Sequence, residues 1–268
     1  MNAMSSPTAY RRVRYLIRTR VCESPTLYLP FARRKYPGPS PEVIGAETEL
    51  VIDGYTRSAC TFAVYALQLA QPYPIRLAHH LHAPAQFIRA VREEVPALLV
   101  IREPCEAILS QLVREPDVAM RDAVVAYTRF HSSLLPYLDH IVVGNFEQVT
   151  RDFGRVIDQL NTRFRLRLQR FEPTAANMSR CFELISHRDS LSPVLLGFES
   201  GVVSDAEVRR EVAALQSSGR APTAGVAWIP SSDREARKQL LRDRWLDPRL
   251  AALRDRAQTL YETFSAAG

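Results

Sequence analysis

The sequence predicts a three-layer α/β fold, a P-loop-like parallel sheet flanked by helices. Three observations carry this expectation. Short apolar runs of strand length recur along the chain: "ELVID" ending at Asp53, "ALLVI" at 97–101 and "HIVVGNF" at 140–146. Each run is followed by a longer segment whose apolar residues repeat at helical spacing. The polar residues of chemical interest fall just after the runs, where parallel α/β sheets gather their ligands. Short apolar strands alternating with amphipathic helices argue for βα units whose sheet is covered on both faces.

Each element follows in order. Residues 1–46 read as a basic extension and linker, with "RRVRYLIRTR" a short basic amphipathic helix and "RRKYPGPSPEVIG" a proline-punctuated connection. The plain expectation is a solvated arm. The sharper one is contact with an anionic membrane surface or with a partner subunit, such as a second copy in a homodimer. Residues 47–268 read as a single domain. Within it, the first strand ends at Asp53 and a helix covers 58–70. "QFIRAVREE" is helical, the second strand is 97–101, and "CEAILSQLV" and 117–135 are helices. The third strand is 140–146, followed by the helix "DFGRVIDQLNTRF". Residues 172–228, richer in Ser, Thr, Gly and Pro, read as an irregular insertion facing a substrate, with Phe182, Phe198 and Trp228 as candidate pocket walls. "SSDREARKQLLRDRW" and "DPRLAALRDRAQTLYETF" return to helix behind cap-like Ser and Asp residues.

Composition narrows the function. With 268 residues, 46% of them hydrophobic, the chain can bury a substantial core. No apolar run approaches the ~20 residues of a membrane span, and the basic N-terminus lacks the apolar stretch of a signal peptide. Cys22, Cys60, Cys105 and Cys181 are scattered without a CxxC or zinc spacing. That pattern fits a reducing cytoplasm and leads to no expectation of a disulfide scaffold or a metal. Lys and Arg total 35 against 29 Asp and Glu, a net +6 that favours an anionic partner. The cations are nearly all arginine, suited to bidentate phosphate or sulfate recognition. They are dispersed without a nucleic-acid-binding motif, so nucleic acid is not expected.

Three clusters carry chemistry. In "YTRSACTF" a strand passes into a helix N-terminus, whose free N–H groups and dipole attract an anion. Arg57 adds charge, Ser58 and Thr61 add hydroxyls, Ala59 allows close approach, and Phe62 offers an aromatic face. The same residues also read as an ordinary turn with Ser58 as N-cap. In "VIREPCEAILS", Arg102 closes the second strand and Ser110 lies about two helical turns further on, so both can point at one crevice. In "RLAHHLHAPAQF", His79, His80 and His82 crowd together. On an extended segment His80 and His82 would share a face. No adjacent Cys or carboxylate completes a zinc set, and a general base fits better, because imidazole titrates near neutral pH.

Taken together, order and spacing resemble the cytosolic-type sulfotransferases, which use 3'-phosphoadenosine 5'-phosphosulfate (PAPS) and release adenosine 3',5'-bisphosphate (PAP). The family's P-K-S-G-T-T-W is echoed by Thr56-Arg57-Ser58-Ala59-Cys60-Thr61-Phe62, and its R-N-P-x-D-x-x-x-S by Arg102 through Ser110. K-T-H-L is echoed by Ala78-His79-His80-Leu81, and Y-E-D-L by Phe146-Glu147-Gln148-Val149. "PSSDREARK" resembles the P-S-x-x-R-x-x-x-K segment of many bacterial members. The resemblance covers 48–165 and 228–264. It implies a sulfotransferase-type fold and a PAPS-dependent transfer of a sulfuryl group to an acceptor hydroxyl on a small molecule, carbohydrate or lipid. His80 would be the catalytic base. Arg57, Ser58, Ala59, Cys60 and Thr61 would surround the 5'-phosphate, with Phe62 near adenine. Arg102 and Ser110 would bind the 3'-phosphate, with Phe146 at the cofactor site and Arg234 and Lys238 closing over it. Ser232 would cap the last motif's helix.

The departures are specific. Arg57 stands for a lysine, Cys60 removes a hydroxyl, and Phe146 lacks the hydroxyl of the family's tyrosine. Ala78 replaces the lysine beside the base, a role for which Arg76 or His79 would be the substitutes. These changes keep a second class open: a PAPS- or PAP-binding protein of weak or no activity on the same fold. A kinase-like enzyme acting on ATP lacks a Walker lysine and a magnesium carboxylate pair.

Overall fold

The computed structural model describes residues 9–35, 42–188, 190–219 and 231–268. Two helices come first, α1 (Ala9–Val21) and α2 (Pro25–Lys35). The sheet region runs β1 (Leu50–Gly54), α3 (Cys60–Ala70), β2 (Leu77–His79), α4 (Pro84–Arg92), β3 (Ala97–Ile101), α5 (Pro104–Arg114), α6 (Met120–Leu134) and β4 (Val142–Asn145). Then follow α7 (Phe146–Arg151), α8 (Phe153–Phe164), α9 (Ala175–Ser186), α10 (Ser192–Glu199), α11 (Asp205–Ser217), α12 (Ser232–Trp245) and α13 (Ala251–Ser265).

The four strands form one all-parallel sheet in the order β2-β1-β3-β4. Ile52 of β1 pairs with His79 on one side and Leu98 on the other, and Leu99 of β3 pairs with Val143 of β4. Side chains alternate between two cores. Val51, Leu99 and Val143 face the layer that holds α2, α4, α5, α6 and α13. Leu50, Ile52, Leu98 and Val100 face α3, α8 and the helices that follow it. Burial on both sides is why these strands read as continuous apolar runs. Gly54 ends β1 against β3, and a Cβ there would lie 2.1 Å from the Val100 carbonyl oxygen. The chain leaves β1 toward β2 on one side, while β3 leads to β4 on the other. The crevice between the carboxyl ends of β1 and β3 is therefore the topological switch point, where such sheets bind ligands.

Two expectations need correction. Over its described residues the N-terminal extension is not a solvated arm: α1 lies against α6, with Arg12 donating to both oxygens of Asp122 at 2.7 and 3.1 Å and Arg11 paired to Asp117. Tyr28, Leu29 and Ala32 of α2, with Val43 and Ile44 beyond it, are buried in the first core. The described part of the 172–228 segment is not irregular either. Over its described residues it forms α9, α10 and α11, which share the core of α3. Its polar residues sit at helix starts: Thr174 caps α9, and Ser204 with Glu207 makes a capping box on α11. Trp228 lies outside the described residues. Among those described, no helix is long and apolar enough to cross a membrane.

Candidate functional site

The loop from β1 to α3 is built under backbone strain. Arg57 and Ala59 adopt φ of 70° and 75°, while Ser58 between them does not. Left-handed backbone costs non-glycine residues about 1–2 kcal/mol each, and such alternation turns successive N–H groups into an anion-binding concavity. The N-cap of α3 is Ala59, with no side-chain cap. Ser58 is therefore not the cap. Its hydroxyl is buried and, among the described residues, finds no hydrogen-bond partner. A buried hydroxyl without a partner costs about 1–3 kcal/mol, so the loop carries a cost that an anion would relieve.

Beside it converge the predicted cations. Arg57 Nε donates to Ser110 Oγ at 3.1 Å, and Arg234 from α12 donates to the same oxygen at 2.8 Å. Arg102, at the end of β3, donates to the Arg57 carbonyl at 3.1 Å, and its guanidinium lies 4.0 Å over the Phe146 ring. Burial pushes Arg57 down to about 9, aided by the charges of Arg234, Arg114 and Arg102. Burial lowers Arg234 as well, and Arg102 adds to that. Arginines held this close are an electrostatic cost to the protein alone and a ready site for a polyanion.

The third cluster closes the other side of the loop. His80 Nε2 lies 2.8 Å from Thr61 Oγ1, and its Nδ1 lies 2.6 Å from His79 Nδ1. Both histidine Nδ1 atoms lie within 4 Å of a Glu199 carboxylate oxygen, at 3.8 Å from His79 and 3.6 Å from His80. Glu199 is fully buried and accepts from Tyr65 at 2.7 Å and from Arg188 at 2.5 and 2.8 Å. Burial, then His79, Arg188 and His82, hold His80 well below the ordinary imidazole value, so its ring is neutral near pH 7. His80 and His82 have φ of 55° and 49°, which breaks the strand alternation expected of them. His82 turns instead to Asp53 and the Gly54 carbonyl, at 3.1 and 2.8 Å.

Other site residues fall elsewhere. Phe62 is buried, packed against Phe171 and Phe182, and offers no open face. Phe198 stacks on Tyr65 in the core, while Phe182 is partly exposed. The Cys60 thiol is buried in the sheet-facing core and pushed well up by that burial. Lys238 is buried and bound to Glu106 and Glu235, both at 2.8 Å, so it anchors α12 rather than facing an anion. The cap of α12 is Ser231, not Ser232. Phe146 lies beneath Arg102 and supports its plane. Ala78 is fully buried within β2, and Arg76 precedes that strand at its amino end, so Arg76 does not take the missing lysine's place. Arg188 does bring a cation beside His80.

Sequence reasoning missed Glu199 and Arg188, which reach His80 from a segment with no local signal of it. Arg114 was within reach, one helical turn beyond Ser110. Among the described residues, two groups have metal-compatible spacing, His79, His80 and Glu199, and Asp53, Cys60 and His82. The Glu199 oxygens are engaged by Arg188 and Tyr65. Those of Asp53 accept from the backbone N–H groups of Gly54 and His82. A cleft of ≈ 130 Å³ opens beside the loop, lined by Tyr15, Arg18, Thr56, His82 and Gln111. A wider one, ≈ 1000 Å³, lies at the opposite end of the sheet by His140 and Arg163.

No model of a known protein family matches the chain, and no curated protein matches it.

Proposed function

We propose that the protein is a sulfotransferase of the PAPS-dependent type, moving a sulfuryl group to an acceptor hydroxyl. The observation that carries this reading is the meeting of Arg57 and Arg234 on Ser110, with Arg102 on the Arg57 carbonyl, next to a strained loop whose buried Ser58 hydroxyl has no partner among the described residues. A cofactor with phosphates at both ends of its ribose suits this arrangement: one anion for the loop and the α3 N-terminus, a second for Ser110 and the arginines. When bound, PAPS would supply the activated sulfuryl group. The chain's own residues do the rest. The loop N–H groups and Arg57 hold developing negative charge, which is usually the largest contribution in such sites. His80, with its Nδ1 proton given to His79, keeps the Nε2 lone pair on the side of Thr61, where an acceptor hydroxyl would place its proton. Glu199 and Arg188 fix the two imidazoles. Lys238 holds α12 so that Arg234 meets Ser110.

The test is calorimetric titration with PAP beside AMP and ATP. Selective binding of PAP, lost in Ser110→Ala and Arg234→Gln, supports the reading. Equal binding of AMP, or preference for ATP, removes it. The second reading, a binding protein without turnover, is favoured by the buried Ala78 at the lysine position. It requires PAP binding with no labelled sulfate transferred to any acceptor in a broad panel.

A further inference from the structure

The outer faces of α1 and α2 are unlike the rest of the surface. Tyr10, Val13 and Ile17, spaced to form one stripe along α1, are 73, 53 and 57% exposed, and Leu27 and Phe31 of α2 are each 65% exposed. Among the described residues, the other exposed large apolar side chains are Tyr73, Leu135, Phe182, Val202, Leu240 and Leu246, and of these only Leu240 and Leu246 belong to one helix and its cap. The α1 stripe lies opposite the face that packs inward through Arg12 on Asp122 and Tyr15 on Gln111. The exposed Arg14 and Arg20 flank it on the helical wheel. Residues 9–35 hold seven arginines and a lysine against one acid, Glu23. That acid is turned inward to Arg129 at 2.5 Å. Both helices pack on the first core, α1 through Tyr15 and Val21 and α2 through Tyr28, Leu29 and Ala32.

We infer that this face docks on an anionic lipid bilayer. The face joins charge complementary to such a surface with an amphipathic form. An apolar stripe that enters the acyl boundary while flanking arginines reach back to headgroups is the design of an interfacial helix. A hydrophobic protein partner would not call for an excess of cations bordering the stripe, and a second copy would set like charges against each other. The inner face of α1 lines the cleft beside Thr56 and His82, so docking places the strand-end site next to the bilayer. The inference does not depend on the reaction performed there.

The test is co-sedimentation of the full chain with vesicles of phosphatidylcholine alone and of phosphatidylcholine mixed with phosphatidylserine, at low and high salt. Two variants accompany it, Tyr10→Ser/Ile17→Ser/Phe31→Ser and Arg14→Ser/Arg20→Ser. All five positions are exposed, so circular dichroism and melting should match the parent; should the apolar variant lose its transition, the arginine variant decides. The expected result is partition onto the anionic vesicles that weakens with salt. It falls about fivefold for each arginine removed and at least about tenfold in the apolar variant. Absence of binding to anionic vesicles overturns the inference, as does binding that ignores both lipid charge and the variants. A concentration-dependent dimer in light scattering, abolished in the apolar variant with no vesicle binding by the parent, assigns the face to a second copy instead.

Discussion

Replacing Arg57 by Gln separates what the cation does for binding from what it does to the fold. The charge sits among Arg102, Arg114 and Arg234 in a mostly buried place, and its value falls to about 9. Each pH unit of that depression corresponds to ~1.4 kcal/mol of disfavoured charge. The side chain keeps some solvent contact, so screening reduces the sum to on the order of 2 kcal/mol. The sign follows from the base: its charged form is disfavoured in the folded state, so the cost is complete below pH 9 and relieved as pH rises through that value. Gln removes the charge and keeps a donor for Ser110. The ligand-free variant should therefore melt about 4–8 °C higher than the parent at pH 7. On the proposed function PAP would stabilise the parent, and the same variant should lose that stabilisation, because the cation that would meet the anion is gone. Differential scanning calorimetry, with and without PAP, reads both effects. A variant that melts lower than the parent and still gains stability from PAP would refute the reasoning: Arg57 would then be a structural residue and not a repelled ligand group.

Four further outcomes are expected. If the protein is the proposed sulfotransferase, His80→Ala should lower sulfate transfer by about 10²–10⁴-fold while PAP affinity, read by calorimetry, stays within twofold. In the parent the acid limb of the pH–rate profile should lie below the ordinary imidazole range, because burial depresses His80. His131 is buried among Tyr127, Phe130 and Phe264, and burial lowers it to about 4. The unfolded chain takes up that proton first as pH falls, so the contribution of His131 to stability is complete above about pH 6.5 and falls toward pH 4 by about 3 kcal/mol. His131→Phe should flatten this slope in denaturant titrations, and an unchanged slope would assign the acid sensitivity elsewhere. Gly201 has φ of 73°, and a Cβ there would lie 2.0 Å from the Ile75 carbonyl oxygen. Gly201→Ala should cost on the order of 3 kcal/mol and, by shifting the end of α10, displace Glu199 from the histidines. A variant with an unaltered denaturation midpoint would show that the contact yields freely.

The parallel α/β layout was legible in the chain itself because periodicity is a local property. The run 97–101 is β3 to the residue, and the helices predicted over 105–113 and 152–164 match α5 and α8 within one residue at each end. Arg57, Arg102 and Ser110 were legible for the same reason: each stands at a fixed distance from a strand end, and a parallel sheet brings strand ends together. Tertiary structure decided what local pattern does not encode. The three-residue strand β2 is too short to show alternation, and left-handed backbone at His80 and His82 undid the face assignment that an extended chain would give. Phe62 had to choose between a ligand and Phe171, and Lys238 between an anion and Glu106; in each case the nearer partner came from a distant segment. Glu199 and Arg188 reach His80 only because α10 packs against α3 and returns beside β2, a contact set by long-range burial. Sequence alone determined that Arg57, Arg102 and Ser110 stand at the strand ends, since that follows from spacing. Packing determined which of them still face it, since that depends on what arrives from elsewhere in the chain.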